Sequence, residues 1–331
     1  MALAAADKRV EALSELAGVI AGARRILLAA HTSPDGDALG AMLALGQGLE
    51  AVGKTATLFC RGPIPAMYDF LPGLDQIREE AGRPEDYDVV LLLDCHEPDR
   101  AGLDESIWLG RPNLYVLDHH RTDQATPPGV IDVTASAAGE LVWRLLKLLD
   151  VPFTESMAVN LFVAISTDTG SFSYSNTSAA ALAIAAEMVE LGASPWEVTS
   201  RLHLNRPSCR LDLLGLALGG LEFIYDGRVG VMTVTRDMLA QTGCDLDDTE
   251  GFVEYPRSVA GIELALLFKE KKGETKVSLR SVGRVDAAAL ARKFGGGGHF
   301  QAAGFSLAEP LDQVRRRLAD AVGDVLPRRE G

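Results

Sequence analysis

No apolar run in this chain approaches the ~20 residues needed to cross a bilayer; runs such as residues 26–30 and 89–93 are strand-sized. A signal peptide is also missing: residues 1–6 are apolar, but Asp7, Lys8, Arg9 and Glu11 follow at once. Cysteine is scarce. Cys60, Cys95, Cys209 and Cys244 form no Cys-x-x-Cys pair, and their spacing offers neither a zinc cage nor a disulfide framework. Reduced, scattered thiols in a cytoplasmic protein without a membrane anchor are the simplest reading. There is no long low-complexity segment, and no Lys-Ser/Thr follows the one run of glycines, which excludes a Walker P-loop.

What the chain does hold is enough apolar sequence for two cores. It has 331 residues, 47% of them apolar, so two domains are expected. The net charge of −14 argues against a protein that coats long duplex nucleic acid by counterion release. The charge is uneven: residues 255–331 carry 14 Lys and Arg against 9 Asp and Glu, whereas residues 1–254 carry 18 against 37. An acidic first part suits metal cations and a basic last part suits a phosphorylated substrate, although acidic surface also simply aids solubility.

Residues 25–31, 55–60, 88–94 and 113–118 read as strands apolar on both faces, as a helix-covered parallel sheet requires. Helical patterns cover residues 38–52, 136–149 (with Ser136 as N-cap), 156–166 and 178–191. The spacing therefore predicts an α/β domain over 1–191, a helical linker over 192–218, and a smaller mixed domain over 219–331. In the latter, residues 221–225 and 229–235 form a hairpin-like pair, 262–269 and 275–280 are strands, and 286–294 and 311–326 are helices.

Four His and Asp clusters follow apolar elements. They are His31 with Asp35 and Asp37, then Asp94, then Asp118-His119-His120, and finally Asp168. A lone Asp after a strand reads as a cap or turn residue, whereas His31, Asp35 and Asp37 put three potential ligands within seven residues. Three of the clusters lie where an open parallel sheet gathers ligands, beyond the carboxyl ends of its strands, and the fourth can reach that edge from a neighbouring helix. Carboxylates and imidazoles without thiolates suit Mn²⁺, with Mg²⁺, Fe²⁺ and Co²⁺ also compatible, and speak against structural zinc. His96 is a neighbour of the cluster and reads as a loop residue; His203 reads as structural or exposed. Near the C-terminus, Gly295, Gly296, Gly297 and Gly298 precede His299, and Arg280 closes a strand. Converging glycine amides can cradle an anion, His299 can donate to phosphate, and Arg280 can bind it bidentately. The alternative for the glycines is a flexible linker.

These residues resemble the DHH family of phosphoesterases over nearly the whole chain. The first domain matches through His31-x-x-x-Asp35-x-Asp37, Asp94, the Asp118-His119-His120 triplet and Thr167-Asp168-Thr169-Gly170. The second matches the DHH-associated domain through Ser278-Leu279-Arg280-Ser281 and the glycine run. The resemblance implies two α/β domains with a cleft between them, and two divalent metal ions. One ion would take His31, Asp35 and Asp94, the other Asp37, Asp94, His119 and Asp168. Asp118 would orient a histidine, and His120 would face the scissile phosphate.

Within the family, length and the C-terminal motif are similar to the branch that degrades very short oligoribonucleotides and removes the 3′-phosphate of 3′-phosphoadenosine 5′-phosphate. Cyclic di-AMP or linear dinucleotide hydrolysis is the alternative activity, and a non-catalytic nucleotide-binding module the alternative class. The resemblance leaves a homodimer open. Arg121-Thr122-Asp123 and Ser173 depart from the common pattern beside the expected substrate cleft.

Overall fold

The computed structural model describes residues 2–122 and 124–326, and side chains from residue 8 onward; Asp123 lies outside the described residues. The chain divides into two compact units, residues 1–205 and 206–331.

In order, the first unit contains α1 (Ala2–Gly22), β1 (Arg25–Ala30), α2 (Gly36–Ala51), β2 (Thr55–Phe59), β3 (Ile77–Arg78), β4 (Val89–Leu93) and α3 (Glu105–Trp108). It continues with β5 (Leu114–Asp118), β6 (Gly129–Ile131), α4 (Ala138–Leu148), α5 (Glu155–Asp168), α6 (Ala179–Glu190) and α7 (Pro195–His203). Its six strands form one parallel sheet in the order β3-β2-β1-β4-β5-β6. The unbroken apolar runs are explained by burial on both faces. Ile26, Leu28 and Ala30 point into the core built with α1, α2, α4 and α5. Leu27 and Ala29 point the other way, toward Leu103 and Trp108. Each fully buried Leu or Ile contributes about 1.5–3 kcal/mol.

Helix α2 is central, and glycine lets it lie close on α5. A Cβ at Gly40 would sit 2.3 Å from the Asn160 carbonyl oxygen, and one at Gly36 2.5 Å from Thr167 Oγ1. That approach brings the start of α2 beside the end of α5.

The second unit contains α8 (Cys209–Gly219), β7 (Glu222–Ile224), β8 (Val229–Val234), α9 (Arg236–Thr242), α10 (Glu254–Arg257), β9 (Leu264–Lys271) and β10 (Glu274–Ser281). It ends with α11 (Ala287–Arg292), β11 (Gly297–Gly298), β12 (Ala302–Leu307) and α12 (Leu311–Val325). The sheet order is β11-β12-β10-β9-β8-β7, with only β8 and β9 parallel. Alternation again serves two layers. Leu264, Leu266, Val277 and Leu279 face Leu290 of α11 and Val314, Leu318 and Val322 of α12. Ala265 and Leu267 face Leu213 and Ala217 of α8 and Phe252.

The stretch 192–218 is shared between the two cores. Val198 and Leu202 of α7 are buried in the first, and Leu213, Leu214 and Ala217 of α8 in the second. Helix α4 begins later than Ser136. Its first amides, of Ala138 and Gly139, donate to the Asp37 carboxylate at 2.6 and 2.8 Å, so a residue far off in sequence caps the helix. Ser136 Oγ donates instead to the Asn176 carbonyl at 2.6 Å.

Candidate metal centre and the Arg280 face

The donors converge at the carboxyl ends of β1, β4 and β5. His31 follows β1, Asp94 follows β4, and Asp118 ends β5 with His119 and His120 directly behind it. Asp35 caps α2: its Oδ1 accepts from the amides of Asp37 and Ala38, both at 3.0 Å. Capping and ligation are therefore compatible at this residue, since capping engages one oxygen. Asp37 stands in the first turn of α2 and Asp168 closes α5.

Donor atoms of His31, Asp35 and Asp94 lie within 4.8 Å of one another, and so do those of Asp37, His119 and Asp168. Asp94 stands beside both groups. Its Oδ2 is 3.5 Å from His31 Nε2, and its Oδ1 is 3.3 Å from His119 Nε2. Its backbone is left-handed, with φ 57°, a strained conformation that aspartate tolerates better than most residues.

Supporting contacts orient the donors. His119 Nδ1 donates to the Ala135 carbonyl at 3.2 Å, which directs Nε2 toward Asp37, Asp94 and Asp168. Asp118 Oδ1 accepts from the amides of His119 and His120 and from His120 Nδ1 at 2.8 Å. Its Oδ2 is 2.7 Å from His96 Nδ1. Asp118 is thus occupied as an organiser of histidines. His96 belongs to this network, although by sequence it reads as a loop residue; its place two residues beyond Asp94 was the available signal. Asn176, which carries no motif, donates from Nδ2 to the Asp168 carbonyl at 3.0 Å and lies 3.4 Å from its Oδ2. His203 is exposed, 3.4 Å from Ser171 Oγ.

The electrostatics of the cluster follow from its burial and its crowded carboxylates. Burial and the charge of Asp94 push the carboxyls of Asp35 and Asp37 upward. Burial opposes ionisation of Asp94 too, but His119, His31 and His120 hold it well below the ordinary range. Burial likewise opposes protonation of His31 and His119, yet the surrounding carboxylates raise both. The raised values of Asp35, Asp37, His31 and His119 reflect an excess of buried negative charge. Asp94 Oδ1 is buried without a hydrogen-bond partner, an orphan that a cation would satisfy. The residues fit divalent ions: hard oxygen and borderline nitrogen donors, buried, and rich in negative charge.

In the second unit Arg280 lies on β10, with its side chain 20% exposed. Its Nε is 3.3 Å from Glu254 Oε1, and the other oxygen of Glu254 accepts from Arg257 Nη1 at 2.7 Å. Lys276 and Ser278 alternate with Arg280 on this face, and Lys269 pairs across from Lys276. Burial pulls the Lys269 ammonium down to about 8. The glycine run is ordered. The amides of Gly295 and Gly296 donate to the carbonyls of Arg292 and Ala291 and so close α11, which leaves fewer amides than four to converge on an anion. A Cβ at Gly296 would sit 2.2 Å from the Gly304 carbonyl oxygen, and Gly297 and Gly298 pair with Gly304 and Ala303 of β12. Close backbone packing thus accounts for part of the run. His299 follows, its amide donating to the Ala302 carbonyl at 2.7 Å.

A parallel sheet bearing carboxylates and imidazoles beyond its strand ends, in a chain whose second unit carries a cationic face, defines an α/β phosphoesterase that works with divalent metal ions. The chain belongs to the DHH family: the DHH family N-terminal domain matches residues 25–167, and the DHHA1 domain residues 226–326. It is 33% identical over 308 residues, 92% of this chain and 90% of the relative, to the bifunctional oligoribonuclease and PAP phosphatase NrnA of Thermus thermophilus. The protein of the same description from Bacillus subtilis is 27% identical, covering 89% of this chain and 93% of its own length. Among solved structures, an exopolyphosphatase-related protein from Bacteroides fragilis superposes with a TM-score of 0.84 at 24% identity, covering 95% of this chain and 96% of its own.

Proposed function

We propose that this phosphoesterase hydrolyses short oligoribonucleotides to mononucleotides and removes the 3′-phosphate of 3′-phosphoadenosine 5′-phosphate. The observation that carries the reading is the meeting of His31, Asp35 and Asp94 with Asp37, His119 and Asp168. Likeness along nine-tenths of the chain to relatives described by both activities supports it.

His31, Asp35 and Asp94 would hold one ion, and Asp37, Asp94, His119 and Asp168 the other, with Asp94 shared. The donor set suits Mn²⁺ best. When bound, the ions supply Lewis-acid stabilisation of charge on the phosphate and make water a stronger acid. The protein's own groups do the rest. Asp118 engages His120 Nδ1, so Nε2 is the ring nitrogen that reaches a non-bridging phosphate oxygen and stabilises its developing charge. Arg280, set by Glu254, binds a terminal phosphate or nucleotide, with His299 and the Gly295 to Gly298 segment of the same unit contributing to that grip. Residues 1–191 act as the catalytic domain and 219–331 as the substrate-binding domain. A short substrate needs few phosphate contacts, which reconciles the function with the net charge of −14 and implies a shallow salt dependence. No helix among the described residues is long and apolar enough to cross a membrane, in keeping with an enzyme of the cytoplasm.

The test is a comparative assay on a dinucleotide, 3′-phosphoadenosine 5′-phosphate, cyclic di-AMP and pyrophosphate, with added Mn²⁺ and with a chelator. Metal-dependent turnover of the first two is expected. Turnover of cyclic di-AMP or pyrophosphate alone would overturn the assignment.

A further inference from the structure

The four cysteines stand far apart in sequence, yet folding brings two of them together at a place that the phosphoesterase chemistry does not use. Cys209 is the first residue of α8, and Cys244 follows Gly243, the left-handed residue that ends α9. Their sulfurs are 2.7 Å apart, across 35 residues of chain. Cys244 is buried with Leu213, Ala217 and Met232, whereas Cys209 is partly exposed at the rim of the same core. An open depression of ≈ 450 Å³, lined by Arg236, Leu239, Gly243, Asp245 and Leu246, borders Cys244.

We propose that Cys209 and Cys244 form a redox-modification site, at which a low-molecular-weight disulfide oxidises them to a bond tying the start of α8 to the end of α9. The distance discriminates between the fates open to a thiol pair. Two thiolates on one tetrahedral ion lie ~3.8 Å apart at a metal–sulfur distance of ~2.3 Å, so a soft metal would have to spread this pair, even though the Asp248 carboxylate lies near both sulfurs. A disulfide needs ~2.05 Å, so closure moves the sulfurs together by under an ångström. The other two cysteines, Cys60 and Cys95, are buried in the first unit, which confines the reaction to the second.

The exchange balances in two steps. Cys209, the more accessible thiol, loses its proton to solvent and attacks one sulfur of the small disulfide. This forms a mixed disulfide and expels one small thiolate, which takes up a proton. Cys244 then loses its proton and attacks Cys209 Sγ. The protein disulfide forms and a second small thiol leaves. Two protein thiols are oxidised and one small disulfide is reduced to two thiols. Burial pushes the Cys244 thiol up to about 11, which disfavours Cys244 as the first nucleophile.

The experiment treats the full chain with oxidised glutathione, then unfolds it in acid, alkylates it and measures mass before and after proteolysis. The expected product is about 2 Da lighter, has two of its four thiols protected, and yields one cross-linked peptide pair containing Cys209 and Cys244. The melting temperature should rise by ~5–10 °C and return on adding reductant. Cys209→Ser should give neither the cross-link nor the rise, and Cys244→Ala should leave at most glutathione on Cys209. The proposal is overturned if all four thiols stay alkylatable, if a different pair is joined, if glutathione remains on wild-type Cys209 without closure, or if a chelator instead of a reductant releases the protected thiols. None of these readouts depends on turnover, so the result stands apart from the substrate assignment.

Discussion

Asp94→Asn should remove almost all activity while leaving the fold in place. The substitution keeps the size of the side chain, and asparagine tolerates the left-handed backbone seen at this position, φ 57°; strain therefore does not confound the result. What it removes is one negative charge that faces His31 Nε2 at 3.5 Å and His119 Nε2 at 3.3 Å, and with it a donor to both ion groups. Losing one preorganised electrostatic partner at a reacting centre costs roughly 10²–10³ in rate. A donor shared by two ions should exceed that, so we expect kcat/KM to fall by at least ~10³-fold, about 4 kcal/mol. Metal binding should weaken in parallel. At a Mn²⁺ concentration about 1,000 times Kd, binding stabilises the wild-type fold by about 4 kcal/mol; a hundredfold loss of affinity would leave about 1.4 kcal/mol. The assays are steady-state kinetics and thermal melts with and without Mn²⁺. A variant that kept more than a tenth of wild-type kcat/KM and the full metal-induced rise in melting temperature would refute the shared-ligand reasoning. A variant already unfolded in chelator would make Asp94 a structural residue.

Arg280→Ala should raise KM about tenfold or more with metal content unchanged if, as proposed, Arg280 grips a substrate phosphate; loss of metal on purification would move Arg280 from substrate capture to folding. Glu254→Gln should raise KM by a smaller factor, since the 3.3 Å contact to Arg280 is weakened and not lost, and an unchanged KM would show that Arg280 needs no such support. Between about pH 6 and 8 the metal-free protein should lose stability as pH rises. Asp35, Asp37, His31 and His119 all have folded-state values raised above their unfolded ones, so each favours folding at low pH and that contribution fades as pH climbs through the raised value. Metal displaces these protons, so the gap in melting temperature between Mn²⁺ and chelator should widen from pH 6 to 8.5, and a narrowing gap would contradict the electrostatics. Lys269→Met should stabilise the second unit at pH 7. The buried ammonium is pulled down to about 8 from 10.5, a cost of about 3 kcal/mol at most. Wild-type stability should recover between pH 8 and 10.5 while the variant's curve stays flat there, and a destabilised variant would mean that Lys269 is paired more strongly than its burial implies.

The strand ends and most of the donor set were legible because parallel strands buried on both faces leave unbroken apolar runs, and a polar residue that ends such a run announces the sheet edge. His31, Asp94 and Asp118 all carry that signal. The helix at α1 carried one as well, in the spacing of Leu13, Leu16, Ala17 and Ile20, all buried, but the N-terminal residues invite a question about targeting before one about packing. Contacts that join distant segments leave no such trace. The capping of α4 by Asp37, the hold of Asn176 on Asp168, and the meeting of Cys209 with Cys244 depend on how elements stack, and no local periodicity encodes stacking. The glycines are ambiguous for the same reason. A run that reads as an anion cradle also closes α11 and lets β11 approach β12; both demands select glycine, so composition cannot separate them. His96 is the instructive case. It lacks the apolar run that marks its neighbours, yet it shares the Asp118 carboxylate with His120. One aspartate thus holds two imidazole rings through its two oxygens. The lesson is that residues which tune a site are found by asking where each buried carboxylate oxygen finds its partner, a question that only the folded chain can answer.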